Sequence, residues 1–253
     1  MPSLRGFLKR KWLQSKLEQP PLIVEAPVPG TTVSVSFAVH TWFEYHNRAQ
    51  GSYVGEPDMV DWLKSELRAG DVLWDIGANV GAYSILAAKL CPGASVVAFE
   101  PFIPTFAHLW DNAVLNGVAP QIHALNVGLS AQSAPTFLGV SDPRAGSSQH
   151  QVGGEASQTR QNLLAFAGDD VVGRLGMPSP TLLKLDIDGL EVAAVEGLRQ
   201  TLRDSRLRSV MIEVELGKTE KPVQELCEAA GLRRIPNPLT SPTDGVLNAR
   251  FVR

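Results

Sequence analysis

From residue 57 onward, short unbroken apolar runs alternate with apolar stripes at helical spacing. Val72–Ile76, Ser95–Phe99, Ile122–Val127, Thr181–Leu185 and Val210–Val214 are mostly apolar runs of five or six residues. Runs of this length suit strands covered on both faces. Between them, Ala82–Leu90, Pro104–Asn116 and Glu191–Leu202 read as helices. In the second of these, Phe106, Leu109, Trp110 and Ala113 share one face. Residues 57–69 read as an earlier helix, with Pro57 in its first turn and Gly70 as its C-terminal cap. The alternation predicts an α/β fold, a mainly parallel sheet with helices on both faces. The end of the chain breaks the pattern. A helix over Pro222–Ala230 is followed by two strands, Leu232–Ile235 and Val246–Val252, joined by the turn-rich segment Asn237–Gly245. A hairpin there would finish a seven-stranded sheet in antiparallel fashion.

Upstream, Val33, Val35, Phe37 and Val39 alternate with smaller or polar residues, as in a half-buried strand. Residues 1–50 therefore read as an N-terminal extension of a basic helix plus short strands, and residues 51–253 as the main domain. Residues 139–160 are rich in Gly, Ser, Gln and Pro, with Val140 and Val152 as the bulky apolar positions. So long a loop is either an active-site lid or a loose insertion.

Composition narrows the class. A chain of 253 residues with 44% hydrophobic and 19% charged content reads as soluble and globular. The net charge of −3 supplies no overall basic field for nucleic acid. Two cysteines, Cys91 and Cys227, are too few for a disulfide framework and fit a cytoplasmic protein. No apolar run approaches the roughly 20 residues of a membrane span, and the start lacks a signal-peptide apolar core. The basic stretch 1–18, with Arg5, Lys9, Arg10, Lys11 and Lys16, reads either as a packing helix or as a helix resting on an anionic membrane surface. Nothing in the sequence sets the oligomeric state.

The chemistry centres on Asp75-Ile76-Gly77-Ala78-Asn79-Val80-Gly81, a glycine turn between a strand and a helix. In a doubly wound sheet this turn lies at the carboxyl end of the first strand, where ligands bind. A dinucleotide turn needs G-x-G-x-x-G so that the pyrophosphate can approach. Here Asn79 holds the middle position, and no P-loop lysine follows. Glu100 ends the next strand, 19 positions beyond Gly81. A carboxylate there accepts hydrogen bonds from ribose hydroxyls and repels phosphate. The ligand is thus a nucleoside without phosphate. Asp75 is read as orienting the turn or the cationic end of that ligand.

Three motifs, Asp75–Gly81, Ala98-Phe-Glu-Pro101 and Leu183-Lys-Leu-Asp-Ile-Asp-Gly-Leu-Glu191, together resemble the FkbM family of methyltransferases over roughly residues 53–216. The resemblance implies a class I methyltransferase with a Rossmann-like fold and S-adenosyl-L-methionine as cofactor. It also implies O-methylation of a sugar, glycolipid or natural-product small molecule. By the same resemblance Asp75, Gly77, Ala78, Asn79 and Gly81 surround the methionine part, with Glu100 and Pro101 at the ribose. Asn126 and Val127 lie where adenine sits, and Tyr53 and Glu56 precede the core, Glu56 facing the cofactor amino group.

Methyl transfer from a sulfonium depends on in-line positioning and, for a hydroxyl acceptor, on a base. Carboxylates stand at two strand ends: Asp186, Asp188 and Glu191 after one, Glu213 and Glu215 on the other. Asp186 is the first candidate for contact with acceptor or methyl donor, followed by Asp188 and Glu191. Asp188 could instead cap the next helix, and Glu191 could be a favourable charge at its start. The cluster could also hold Mg²⁺, though no spacing demands a metal. His150 lies in the long loop within reach of a substrate. Trp42, Phe43 and Tyr45 either wall the pocket or pack the extension on the sheet. Two other classes compete with the methyltransferase. A nicotinamide-dependent oxidoreductase lacks its G-x-G, and a non-catalytic nucleoside-binding protein would not need the intact set Asp75, Gly77, Gly81, Glu100 and Asp186.

Overall fold

The computed structural model describes Lys11 and residues 20–147, 150–152, 159–240 and 245–253. The expected basic helix and its membrane contact lie outside these residues, as does part of the 139–160 segment. The strands are β1 (Leu22–Pro27), β2 (Ser34–Val39), β3 (Val72–Ile76), β4 (Ser95–Phe99), β5 (Ile122–Leu125), β6 (Gly128–Leu129), β7 (Ala134–Gly139), β8 (Gln151–Val152), β9 (Arg160–Phe166), β10 (Leu182–Leu185), β11 (Ser209–Glu215), β12 (Arg233–Ile235) and β13 (Val246–Val252). The α-helices are α1 (Ser52–Gly55), α2 (Pro57–Glu66), α3 (Ala82–Leu90), α4 (Ile103–Leu115), α5 (Gly168–Leu175), α6 (Glu191–Glu196), α7 (Arg199–Arg203) and α8 (Glu220–Ala229).

The main sheet has seven strands in the order β12-β13-β11-β10-β3-β4-β5. From β11 to β5 all neighbours are parallel, and β13 runs antiparallel to both β11 and β12. Successive side chains of β3 enter opposite layers. Leu73 joins a cluster with Trp62, Ile85, Leu86, Val96 and Leu109, whereas Trp74 joins Val97, Phe99, Leu198, Val210 and Phe251. Each such large side chain contributes about 1.5–3 kcal/mol on burial. The β1–β2 hairpin feeds Ala26, Val35 and Phe37 into the first cluster. Asn112 of α4 fastens it, accepting from Ala38 N at 2.9 Å while donating to Val80 O at 3.0 Å. The hairpin is thereby tied to the glycine turn.

Three expectations are corrected. The helix from 57 stops at Glu66, because Leu67 is extended (φ −74°, ψ 133°). Gly70 (φ +87°) instead turns the chain into β3. The single helix over Glu191–Leu202 is two, α6 and α7, broken at Gly197. A Cβ on Gly197 would lie 2.1 Å from Ser130 O, so only glycine fits where the chain passes so close. Finally, the chain forms a second sheet in the order β6-β9-β7-β8. It brackets the 139–160 segment, whose Val140 is buried with Phe102, Leu138 and Leu163, with Val152 packed against them.

Candidate active site

β3 and β10 are parallel neighbours, and their carboxyl ends meet closely. Asp186 N donates to Ile76 O at 3.0 Å. Gly77 turns at φ +79°, and a Cβ there would lie 1.8 Å from Asp186 O. Only glycine lets the two strand ends close at this point. Asn79 is left-handed as well (φ +50°), a conformation its short polar side chain tolerates. Its Oδ1 accepts from Val80 N at 2.9 Å and its Nδ2 donates to Ser147 O at 3.2 Å. Gly81 (φ +88°) starts α3.

Glu100 is buried at the end of β4. Asn79 N donates to its Oε2 at 2.9 Å and Phe102 N to its Oε1 at 2.8 Å. Burial pushes its carboxyl up to about 7, against the pull of those two hydrogen bonds. The cleft in front of it has a volume of about 240 Å³, and Gly77, Asn79, Pro101, Val127, Gly128, Leu129 and Ile187 contribute to its wall. Asp186, Asp188 and Glu56 line it as well, as do Ser147, His150 and Val152 from the long segment. His150 packs against Phe102 with ring centroids 4.5 Å apart, and burial lowers its pKa.

A second, larger cavity of about 800 Å³ opens beside the cleft, between α1, the turn into α2 and the β13 edge. Arg48, Glu56, Gly77, Asn79, Asp186 and Glu213 line both spaces and so mark their junction.

Other predicted residues sit behind the walls. Asp75 is fully buried and lines neither space. It accepts from Ser84 Oγ at 2.6 Å and pairs with Lys184 Nζ at 3.3 Å. Lys184 Nζ also lies 3.1 Å from Asp186 Oδ2 and donates to Gly77 O at 3.1 Å. Burial opposes its charge, but Asp186 and Asp75 outweigh burial and hold the ammonium above its ordinary range. Tyr53 donates to Ala82 O at 2.9 Å and packs edge-on against Tyr83. Asn126 braces the end of β4, its Nδ2 donating to Glu100 O at 2.9 Å and Pro101 O at 3.0 Å. Glu191 folds back on the start of α6, accepting from Gly189 N at 2.9 Å. Ala78, Gly81 and Glu191 line neither space. Among the described residues, no three His, Cys, Asp or Glu side chains form a group able to hold a metal ion.

Arg48, Tyr83 and Lys184 were not singled out from sequence. Lys184 carried a signal, a lone charge in the apolar run Leu182-Leu-Lys-Leu185, which buries only with a partner. Tyr83 donates to Glu56 Oε2 at 2.5 Å, and its hydroxyl oxygen also lies 2.8 Å from Ser52 O. Of the aromatic segment, Trp42 is exposed, Tyr45 packs against the core and His46 lines the larger cavity. His108 stacks on His40 and pairs with Glu44 at 2.5 Å, away from the cleft.

The sheet order, with its single reversed strand, and a glycine turn facing a buried carboxylate define a class I methyltransferase. A crystal structure of precorrin-6y C5,15-methyltransferase from Geobacter metallireducens shares the fold, with a TM-score of 0.50 at 13% identity over 81% of this chain and 90% of that one. Residues 75–231 match the Methyltransferase FkbM domain. Hexuronic acid methyltransferase AglP of Haloferax volcanii is 30% identical over 196 residues, which is 78% of this chain and 77% of the relative. The 31-O-demethyl-FK506 methyltransferase FkbM of Streptomyces tacrolimicus is 29% identical over 175 residues, 59% of this chain and 67% of that protein. The chain belongs to the FkbM methyltransferase family and is an S-adenosylmethionine-dependent enzyme.

Proposed function

We propose that this enzyme methylates an oxygen of a sugar, glycolipid or natural-product small molecule, with S-adenosyl-L-methionine as donor. The observation that carries the reading is the meeting of two spaces at Gly77, Asn79, Asp186 and Glu213. A nucleoside cleft opens there directly onto a larger cavity that can take a ring-sized acceptor. The two relatives act on a hexuronic acid and on FK506 lacking its 31-O-methyl group, by their names, which supports a small-molecule or carbohydrate acceptor over a nucleic acid.

The residues present fit the donor. Glu100 would hold the ribose hydroxyls, and Val127, Gly128 and Leu129 offer an apolar slot for adenine. Gly77 and Asn79 would border the methionine part, with Glu56 and Asp186 towards its cationic end. When bound, the donor supplies an activated methyl group. Asp75, Tyr53 and Asn126 would act from behind, holding Lys184, the start of α3 and the end of β4 in place. Asp186, fixed by Lys184, is the residue we assign to orienting acceptor and methyl donor, with Asp188 beside it. Ser147, His150 and Val152, beside a turn that Arg48 Nε holds by donating to Gly146 O at 2.7 Å, would cover the cleft. In this reading the enzyme works in the cytoplasm, which its free cysteines support. Among the described residues, no helix is long and apolar enough to cross a membrane.

The test is calorimetry with S-adenosylhomocysteine together with turnover on a panel of sugars. Wild type should bind it, and Asp186→Ala should lose turnover far more than affinity. Absence of binding would sink the reading, and full turnover in the variant would remove Asp186 from the mechanism.

A further inference from the structure

At the junction of the two spaces three carboxylates, Glu56, Asp186 and Glu213, share one wall. Two of them have a partner. Asp186 has Lys184 at 3.1 Å, and Glu56 accepts from the Tyr83 hydroxyl at 2.5 Å. Among the described residues, nothing donates a hydrogen bond to the Glu213 carboxylate. Arg48, the other cation at the junction, is held by Gly146 O at 2.7 Å and acts on Glu100.

The sheet fixes where Glu213 stands. β10 and β11 run parallel with Leu185 opposite Ile212, so Asp186 and Glu213 follow at the same end of neighbouring strands. On its other side Glu213 is in register with Asn248 of β13, which lines the larger cavity. The groups acting on it are Lys184 and Asp186 from β10, Asp188 from the turn beyond, and Glu56 from the approach to α2. Burial, then the charges of Asp186 and Glu56, push its carboxyl up to about 8. Such a group exchanges its proton near neutral pH, where a general base works best.

We propose that Glu213 takes the proton of the acceptor, and that the site is therefore built for a hydroxyl acceptor rather than a carboxylate. This rests on the methyltransferase reading above. The acceptor oxygen forms a bond to the methyl carbon as the carbon–sulfur bond breaks, its electrons staying on sulfur. The acceptor O–H bond breaks and its proton passes to Glu213. The products are a methyl ether, a neutral thioether and a protonated Glu213, which returns its proton through the open cavity. A carboxylate acceptor needs no base. It would also bring a further negative charge to a wall whose nearest lysine is already shared by Asp75 and Asp186.

The full chain is tested against S-adenosylhomocysteine, methyl β-D-glucopyranoside and methyl β-D-glucopyranosiduronate. Wild type and Glu213→Gln should bind S-adenosylhomocysteine within about twofold of each other, given that Glu213 serves the acceptor. Failure of wild type to bind it counts against the methyltransferase reading, not against Glu213. In the S-adenosylhomocysteine complex, ¹³C-glutamate NMR should show a carboxylate titrating near neutral or above that is missing in Glu213→Gln. Titration of Glu213 in the ordinary carboxylate range overturns the proposal, whichever sugars are accepted. With the methyl donor present, the glucoside should be methylated on a hydroxyl and the uronate should yield no methyl ester. Glu213→Gln should lower kcat by about a hundredfold or more and abolish the rise of rate with pH. A methyl ester from the uronate, or turnover in Glu213→Gln equal to wild type, overturns it.

Discussion

With Glu100 holding the ribose as proposed, cofactor affinity would depend on pH in a way that follows from the surroundings of that carboxyl. Burial pushes the Glu100 carboxyl up to about 7, even with two backbone N–H groups pointing at it. Ribose hydroxyls would donate to the charged form and stabilise it. With the bound carboxyl back in the ordinary carboxylate range, the sign is fixed. Below neutrality the free protein holds a proton that binding must expel, so affinity falls as pH falls. Linkage puts the affinity at pH 6 about tenfold below that at pH 8. The assay is calorimetric titration of S-adenosylhomocysteine at half-unit steps between pH 5.5 and 8, with the accompanying proton release read from buffers of different ionisation enthalpy. Glu100→Gln should lose about 10–100-fold in affinity, the equivalent of about 1.5–3 kcal/mol for hydrogen bonds to a charged acceptor. Part of that loss reflects the loop, because an amide NH₂ would face one of the two backbone donors. The slope is therefore the discriminating observable. Wild-type affinity that is flat from pH 6 to 8, or a slope that survives in Glu100→Gln, would refute the assignment.

Lys184→Met should leave the fully buried Asp75 without its cation, costing about 3–5 kcal/mol and lowering Tm by about 6–20 °C for a chain of this size. Adding Asp75→Asn should restore much of that loss in thermal unfolding, and a single variant as stable as wild type would show that the pair does not form. Gly77→Ala forces a left-handed alanine, at about 1–2 kcal/mol, and sets its Cβ against Asp186 O. The strand ends must then part, so S-adenosylhomocysteine binding should fall below detection by calorimetry, and retained wild-type affinity would contradict the close approach.

The seven strands of the main sheet were legible because each is either an uninterrupted apolar run or a short segment bounded by turn residues. Burial on both faces writes itself into composition. The second sheet was not legible for the opposite reason. In β9, Leu163 and Ala165 are buried, but Leu164 between them is 53% exposed, so hydropathy does not follow the pleat. β1 misleads in the same way, with Leu22 and Ile23 exposed. The break between α6 and α7 falls at Gly197, which Ser130 O approaches closely, a contact across 67 positions that no local periodicity records. At the site, the glycine turn and Glu100 were readable from spacing, since they depend on one strand–turn–helix unit. Whether a carboxylate faces the cleft depends on side-chain direction at a strand end. Spacing therefore could not separate Asp186, which lines both spaces, from Asp75 and Glu191, which line neither.

The distribution of charge around Lys184 accounts for that separation of roles. One ammonium serves the two carboxylates closest to it, Asp75 and Asp186. Asp75 is fully buried and, among the described residues, also accepts from Ser84 at 2.6 Å, so its contacts belong to the fold. Among the described residues Glu56 and Glu213 are left without an ion-pair partner, and burial together with the charge of Asp186 raises both. The site therefore grades from a buried ion pair beneath the glycine turn to carboxyls of raised pKa on the acceptor side. A sulfonium at the junction would favour ionised carboxylates there, because an opposite charge nearby lowers their pKa. Once the methyl group has moved, the sulfur is neutral and that pull is gone. In the proposed mechanism Glu213 would then gain proton affinity at the step where the acceptor proton must be held, and one lysine with its unequal neighbours would couple charge loss on the donor to proton uptake by the protein.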